Sequence, residues 1–273
     1  MTIRIATWNI NSVRIRTHLV RRLVKLASPD VLCLQEIKCE AGEFPRKVFE
    51  RMGYPYIEIA GQRGYHGVAV LSRFPLARLG AEDLHGTGEA RHLGVSLGIG
   101  RAREPLEVHN FYVSAGGDIP DPDENRRFRE KLAYLDALEA WSGRLAGKRR
   151  RVVVGDLNVA PFEHDVWSHK QMLKVVSHTP TEVERFGRAV AAGNWTDVMR
   201  RFVPESEKLY SWWSYRSADW RVSNRGRRLD HVWASPAASG DLAAMTVHDA
   251  ARGWTRPSDH VPVVVDLDLE PSA

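Results

Sequence analysis

Cysteine is nearly absent from this chain, with Cys33 and Cys39 alone among 273 residues. Two thiols without CxxC spacing supply neither a disulfide framework nor a zinc site. Cys33 sits in an apolar run and Cys39 in a polar stretch, which reads as one buried thiol and one incidental one. Long apolar runs are missing as well, and none approaches the roughly 18 residues that a spanning helix needs. Ile3, Ile5 and Thr7 begin a strand-like pattern at once, without the apolar core of a signal peptide. The expectation is a cytoplasmic protein that does not partner a membrane. Neither a low-complexity linker nor a repeat of fixed period divides the sequence. Acid is not in excess either, because the formal net charge is +5. That balance suits a polyanionic partner but says nothing about fold.

What is present is an alternation of strand-like runs with longer helical patterns. Residues 3–10, 30–35, 68–71, 92–97, 107–113, 152–157, 228–234 and 261–269 read as strands. Residues 13–27 carry Ile15, Leu19, Val20, Leu23 and Val24 at helical spacing and stop before Pro29. Residues 123–145 form the longest helical pattern, with Phe128, Leu132, Leu135 and Leu138 on one side. Alternation of this kind favours a layered α/β architecture. Candidate site residues come from both ends of the chain, so one domain covering residues 1–273 is expected.

Four short polar motifs carry the chemistry: Thr7-Trp8-Asn9-Ile10-Asn11, Gln35-Glu36, Gly155-Asp156-Leu157-Asn158 and Ser258-Asp259-His260. Carboxylates and carboxamides at strand ends can converge on one hard cation, because Mg²⁺ takes oxygen ligands. Asp156 and Asn158, two apart on a strand, would share a face. There the carboxylate can take a proton from water and the carboxamide can donate to a phosphoryl oxygen. The same four residues also describe an ordinary turn after a buried strand. Asp259 and His260 are neighbours and would face opposite ways, so Asp230 is the candidate to orient the imidazole, while His231 reads as structural or surface-exposed. Glu36 ends an apolar strand, where a lone acid is either solvated or a ligand. Asn9 and Asn11 make one polar face, and Tyr112 offers a phenol at another strand end, a position that packing also explains.

Together, these motifs resemble the exonuclease III family of DNA-repair nucleases, within the endonuclease/exonuclease/phosphatase superfamily. The resemblance runs nearly end to end. It includes residues 7–14, 34–38, 64–71, 110–112, 154–161, 210–216, 224–230 and 256–262, of which the aromatic stretch 210–216 and the basic stretch 224–230 are particular to the DNA-repair branch. It implies a four-layered α/β sandwich, with two central mainly antiparallel or mixed sheets flanked by helices, as in deoxyribonuclease I. It also implies a Mg²⁺ cofactor, with Mn²⁺ as a substitute. Glu36 would be the principal metal ligand with Asn9 nearby, and Asp156, Asn158, Asp259 and His260 would complete the metal network. Asp156 would activate water, Asn158 would stabilise the phosphoryl group, Tyr112 would donate to the phosphate, and Asp230 would orient His260. Cleavage would leave a 3′-hydroxyl, as a 3′→5′ exodeoxyribonuclease or as an apurinic/apyrimidinic endonuclease.

Double-stranded DNA, at abasic sites and 3′ ends, is the implied partner of a monomeric, nucleoid-associated enzyme. Arg14, Arg127, Lys131, Arg216, Arg225 and Arg228 are candidates for phosphate contacts, which set affinity and salt dependence. Asn11, Asn224, Trp212 and Trp213 join them, the tryptophans lying in the stretch that relatives place against the minor groove and sugar pocket. Ordinary core is the competing explanation for both rings. The sequence departs from better-known members at residues 113–117, 166–170 and 176–180, all near the expected DNA face. Trp167 or His169 is therefore the candidate to crowd the sugar pocket and weaken abasic cleavage. Two other classes compete. Superfamily phosphoesterases of RNA, phosphoinositides or sphingolipids are disfavoured by residues 210–216 and 224–230. A non-catalytic DNA-binding homologue is disfavoured because Asn9, Glu36, Asp156, Asn158, Asp230 and His260 are all present.

Overall fold

The computed structural model describes residues 1–99, 105–217 and 219–269. Two six-stranded sheets lie face to face. One runs Leu242–Val247, Val263–Asp268, Thr2–Asn9, Val31–Gln35, Val68–Ser72, Tyr56–Ala60 in spatial order. The other runs Leu76–Gly80, His92–Leu97, Leu106–Tyr112, Arg151–Asp156, Asp230–Ala234, Thr196–Asp197. Pairing is mainly antiparallel, but each sheet contains one parallel pair, Thr2–Asn9 with Val31–Gln35 and Leu106–Tyr112 with Arg151–Asp156.

Side-chain parity explains the layers, since alternate residues of a strand face opposite ways. Ile3, Ile5, Val31, Cys33, Val108, Val152, Val154 and Val232 fill the seam between the sheets. Ala6, Trp8, Leu32 and Leu34 face outward, toward Leu19, Val20 and Leu23 of the helix Val13–Ala27. On the far side Phe111, Val153 and Trp233 pack on Tyr134, Leu135, Leu138 and Trp141 of the helix Arg126–Leu145 and on Phe186 of the helix Pro180–Ala192. Helix, sheet, sheet, helix is the four-layered sandwich expected from the sequence.

Several elements differ from the sequence reading. The strands Tyr56–Ala60, Leu76–Gly80 and Leu242–Val247 and the helix Pro180–Ala192 were not expected. The two outer strands Leu76–Gly80 and Leu242–Val247 contain no buried residue, so periodicity gave no signal. The helix did carry one, because Thr179 and Glu182 form a capping box with Pro180 at the first turn. The strand ending at Asp156 stops before Asn158, which corrects the same-face argument made for that pair.

Candidate active site

Continuing the parity of each inward-facing strand carries polar residues to one end of the seam. Asn9 follows Ile3, Ile5 and Thr7, Tyr112 follows Val108 and Asn110, and Asp156 follows Val152 and Val154. Beneath them the two sheets are tied by polar bonds: Gln35 Nε2 donates to Asn110 Oδ1 at 2.7 Å, and Asn110 Nδ2 donates to the carbonyls of Leu34 and Ala69. These bonds fix how the parallel pairs meet, and the carboxyl ends of both pairs open into a cleft of about 610 Å³.

Asn9 Nδ2 is the central donor, reaching Glu36 Oε1 at 2.9 Å and Asp156 Oδ2 at 2.8 Å. Glu36 lies one residue past its strand with φ of 48°, which swings its carboxylate back over the seam. Tyr112 donates its phenol to Glu36 Oε1 at 2.8 Å, and Lys38 Nζ lies 2.9 Å from Oε2. Burial alone would raise the Glu36 carboxyl; Lys38 and the hydrogen bonds from Asn9 and Tyr112 outweigh it and hold the group ionised.

His260 forms the second half of the site. Its Nδ1 is 2.8 Å from Asp230 Oδ2 and its Nε2 is 3.5 Å from Asp156 Oδ2. Burial pulls the imidazole down, but Asp230 and Asp156 outweigh it and push it up to about 10. Burial also raises the Asp156 carboxyl, to about 7, against the pull of His260. His231, one residue on, faces the helical layer instead; it is fully buried with Nε2 on the Val159 carbonyl, so it is structural and not surface-exposed.

The remaining candidates separate into two groups. Asp259 accepts from Trp212 Nε1 at 2.9 Å and from Asn11 Nδ2 at 3.2 Å, and Asn11 Oδ1 accepts from Lys38. Asn158, in a left-handed turn (φ 54°), donates Nδ2 to the Val113 carbonyl, and its backbone N–H caps Asp156 Oδ1. Trp212, Arg216 and Arg225 line the cleft, whereas Arg14 and Arg127 are exposed outside it. Asn224 is exposed and accepts from Trp213 Nε1.

Three proposed DNA contacts are corrected. Lys131 is fully buried, paired with Glu182 at 2.5 Å and donating to the Asn158 carbonyl at 2.7 Å. Arg228 is fully buried between Asp165 and Asp197. Trp213 lies in the core beside Tyr210. Each is long or apolar enough to serve a buried role, and sequence alone did not separate the two. Arg227 was missed, although it lines the cleft where Arg228 does not. Regular alternation counted back from Asp230 would turn Arg228 to the site; Gly226–Arg227 instead pair with Trp212–Trp213 in a separate ladder, so the alternation is not continuous with the strand Asp230–Ala234. Trp167 also lines the cleft, under the Arg225 guanidinium at 4.6 Å. His169 is exposed, bonded to His178 at 2.8 Å, and is not part of the lining.

The sequence pattern of the Endonuclease/Exonuclease/phosphatase family matches residues 6–260, a span that includes every polar residue of this site from Asn9 to His260. The chain belongs to that family. Among its relatives, exodeoxyribonuclease III of Haemophilus influenzae is 27% identical over 94% of this chain and 97% of its own length. The DNA repair nuclease APEX1 of Danio rerio is 30% identical over 97% of this chain and 82% of its own. In three dimensions, an AP endonuclease from Archaeoglobus fulgidus superposes with a TM-score of 0.88, at 29% identity over 97% of this chain and 99% of that one.

Proposed function

We propose that this chain is a Mg²⁺-dependent nuclease of double-stranded DNA, a 3′→5′ exodeoxyribonuclease with apurinic/apyrimidinic endonuclease activity that leaves 3′-hydroxyl ends. The observation that carries the reading is the convergence of Asn9, Glu36, Tyr112, Asp156, Asp230 and His260 on one cleft. Its flank bears Arg216, Arg225 and Trp212. Similarity over nearly the whole chain to an exodeoxyribonuclease and to a DNA repair nuclease supports the substrate class.

The donor set suits a hard divalent cation. Glu36 and Asp259 are held ionised in the cleft, and the Asp156 carboxylate lies in the same lining, so carboxylate oxygens are on offer to it. Glu36 would be the principal ligand, with Asp156, Asp259 and the Asn9 and Asn158 carboxamides around it. When bound, the cation would neutralise charge on the phosphate. Asp156, raised toward neutrality, is suited to accept a proton from the attacking water. His260 stays protonated and offers its positive charge to the phosphoryl oxygens, while Asp230 fixes its orientation. Asn9 keeps the Glu36 and Asp156 carboxylates apart. We read the protein as a monomer, one domain over residues 1–273, acting in the cytoplasm on nucleoid DNA.

Trp167 walls the recess in which a baseless sugar would sit, so exonuclease action is favoured over abasic cleavage. The test uses two labelled duplexes, with Mg²⁺ and with EDTA. One carries an internal abasic analogue and blocked 3′ ends; the other is intact with a recessed 3′ end. Shortening of the intact duplex in Mg²⁺ alone, with slower cutting of the abasic one that Trp167→Gly restores, is the expected result. No cleavage of either duplex would overturn the nuclease reading.

A further inference from the structure

Of the three arginines that line the cleft, Arg216 and Arg225 are exposed and Arg227 is half-buried. Arg227 pairs its backbone with Trp212 in a two-residue antiparallel ladder, and its guanidinium lies over the Trp212 ring at 5.0 Å. Nη1 donates to the Val176 carbonyl at 3.2 Å and to Ser177 Oγ at 3.1 Å. Its Nε is buried and has no hydrogen-bond partner, and among the described residues no carboxylate lies within ion-pair distance of the group. The neighbouring cations differ. Arg228 is held by Asp165 and Asp197, and Lys131 by Glu182, which also accepts from the Ser177 and Thr179 backbone. A half-buried guanidinium fixed by neutral partners in a catalytic cleft suits an anionic group of the substrate.

We propose that Arg227 determines which strand ending the cleft prefers, by favouring a 3′-terminal phosphomonoester over a neutral nucleoside or baseless sugar. This rests on the nuclease reading above and adds the selecting residue. In a phosphodiester, the side of phosphorus away from the leaving 3′-oxygen carries an uncharged nucleoside through its 5′-oxygen. In a 3′-monoester that ester oxygen is replaced by a third anionic oxygen. The recess beyond the catalytic carboxylates, walled by Trp167, Met172, Val175, Trp212 and Arg227, receives whichever group stands there. Its aromatic and aliphatic walls suit either group, and only Arg227 among those five distinguishes them by charge. Removal of the terminal phosphate consumes one water. The water oxygen bonds to phosphorus and the P–O3′ bond breaks. One water proton ends on the 3′-oxygen, and the other stays with the released phosphate.

Binding and cleavage test the proposal separately. Fluorescence anisotropy in EDTA would compare DNA hairpins ending in 3′-phosphate and 3′-hydroxyl. Wild type is expected to prefer the phosphate by about tenfold, the size of one charge-assisted hydrogen bond. Arg227→Leu and the more conservative Arg227→Gln should reduce that preference to about twofold or less, leaving the hydroxyl end unaffected, whereas Arg227→Lys retains part of it. In Mg²⁺, the ratio of phosphate release to nucleotide release should fall to the same extent in the two neutral variants. An unchanged preference in Arg227→Gln, or an equal weakening of both ends, would overturn the assignment. If no duplex is cut by wild type, the nuclease reading fails while the EDTA comparison still decides the role of Arg227. Cleavage without an end preference would sink the role of Arg227 and leave the nuclease reading standing.

Discussion

Asp156 and Asp230 stand directly opposite each other in an antiparallel pair, a position where like charges repel. Both are buried, so the repulsion is not screened by water. His260 resolves it by lying between them, which is why its imidazole is pushed up to about 10 although burial opposes charge. Asp230→Asn removes the larger of the two raising interactions, so His260 should lose its proton at lower pH. The alkaline limb of the kcat/KM profile is then expected to move down by about one pH unit or more. A profile unchanged from wild type would show that the His260 proton plays no part. Glu36 depends on its neighbours in the same way: Lys38, Asn9 and Tyr112 keep it charged where burial would neutralise it.

At the scale of elements, the turn after each strand decides function. Glu36 and Asn158 both adopt left-handed backbone just past a strand end, and both reach the site by that bend. The motifs naming these residues were legible in the sequence, as were the strand ends that carry them. Parity was legible only where hydrophobic alternation anchored it. Ile3, Ile5, Val152 and Val154 mark the inner face, and Asn9 and Asp156 continue their parity. Residues 224–230 have no such anchor before Leu229, and nothing in the sequence marks Arg227 rather than Arg228 as the one that faces the cleft. The structure makes Arg228 a clasp between the strand pair, Asp165 and Asp197. Arg228→Ala would strand the buried Asp165 carboxylate beside Arg200 alone and should destabilise the fold by about 3–5 kcal/mol. Urea unfolding measures this, and a loss below about 1 kcal/mol would contradict the clasp.

For the whole molecule, the buried histidines set the response to acid. His92, His109 and His231 are enclosed, and burial lowers all three, His109 to about 4. An unfolded chain protonates them near pH 6.5. Between that pH and their folded values the unfolded state binds more protons, so stability falls as pH falls. His109 alone contributes a loss of about 2 kcal/mol at pH 5, and His92 and His231 act in the same direction. Asp156 and His260 act in the opposite sense, because both are raised and hold a proton longer in the folded state, but the lowered histidines outnumber them, since burial also lowers His66, His85, His178 and His248. The urea midpoint should therefore be clearly lower at pH 5 than at pH 7.5, and an equal or higher midpoint would contradict the burial of these rings.

All of this rests on the seam residues acting as one catalytic unit. Asp156 is their common member, bonded to Asn9, capped by Asn158 and within 3.5 Å of His260. The most direct measurement is the single-turnover rate of wild type and Asp156→Asn on a recessed 3′-end duplex in saturating Mg²⁺, with DNA binding and thermal unfolding measured alongside. The expected rate is lower by about 10³-fold or more, with binding and folding retained. A variant that cuts within tenfold of wild type would show that the chemistry does not reside in this seam.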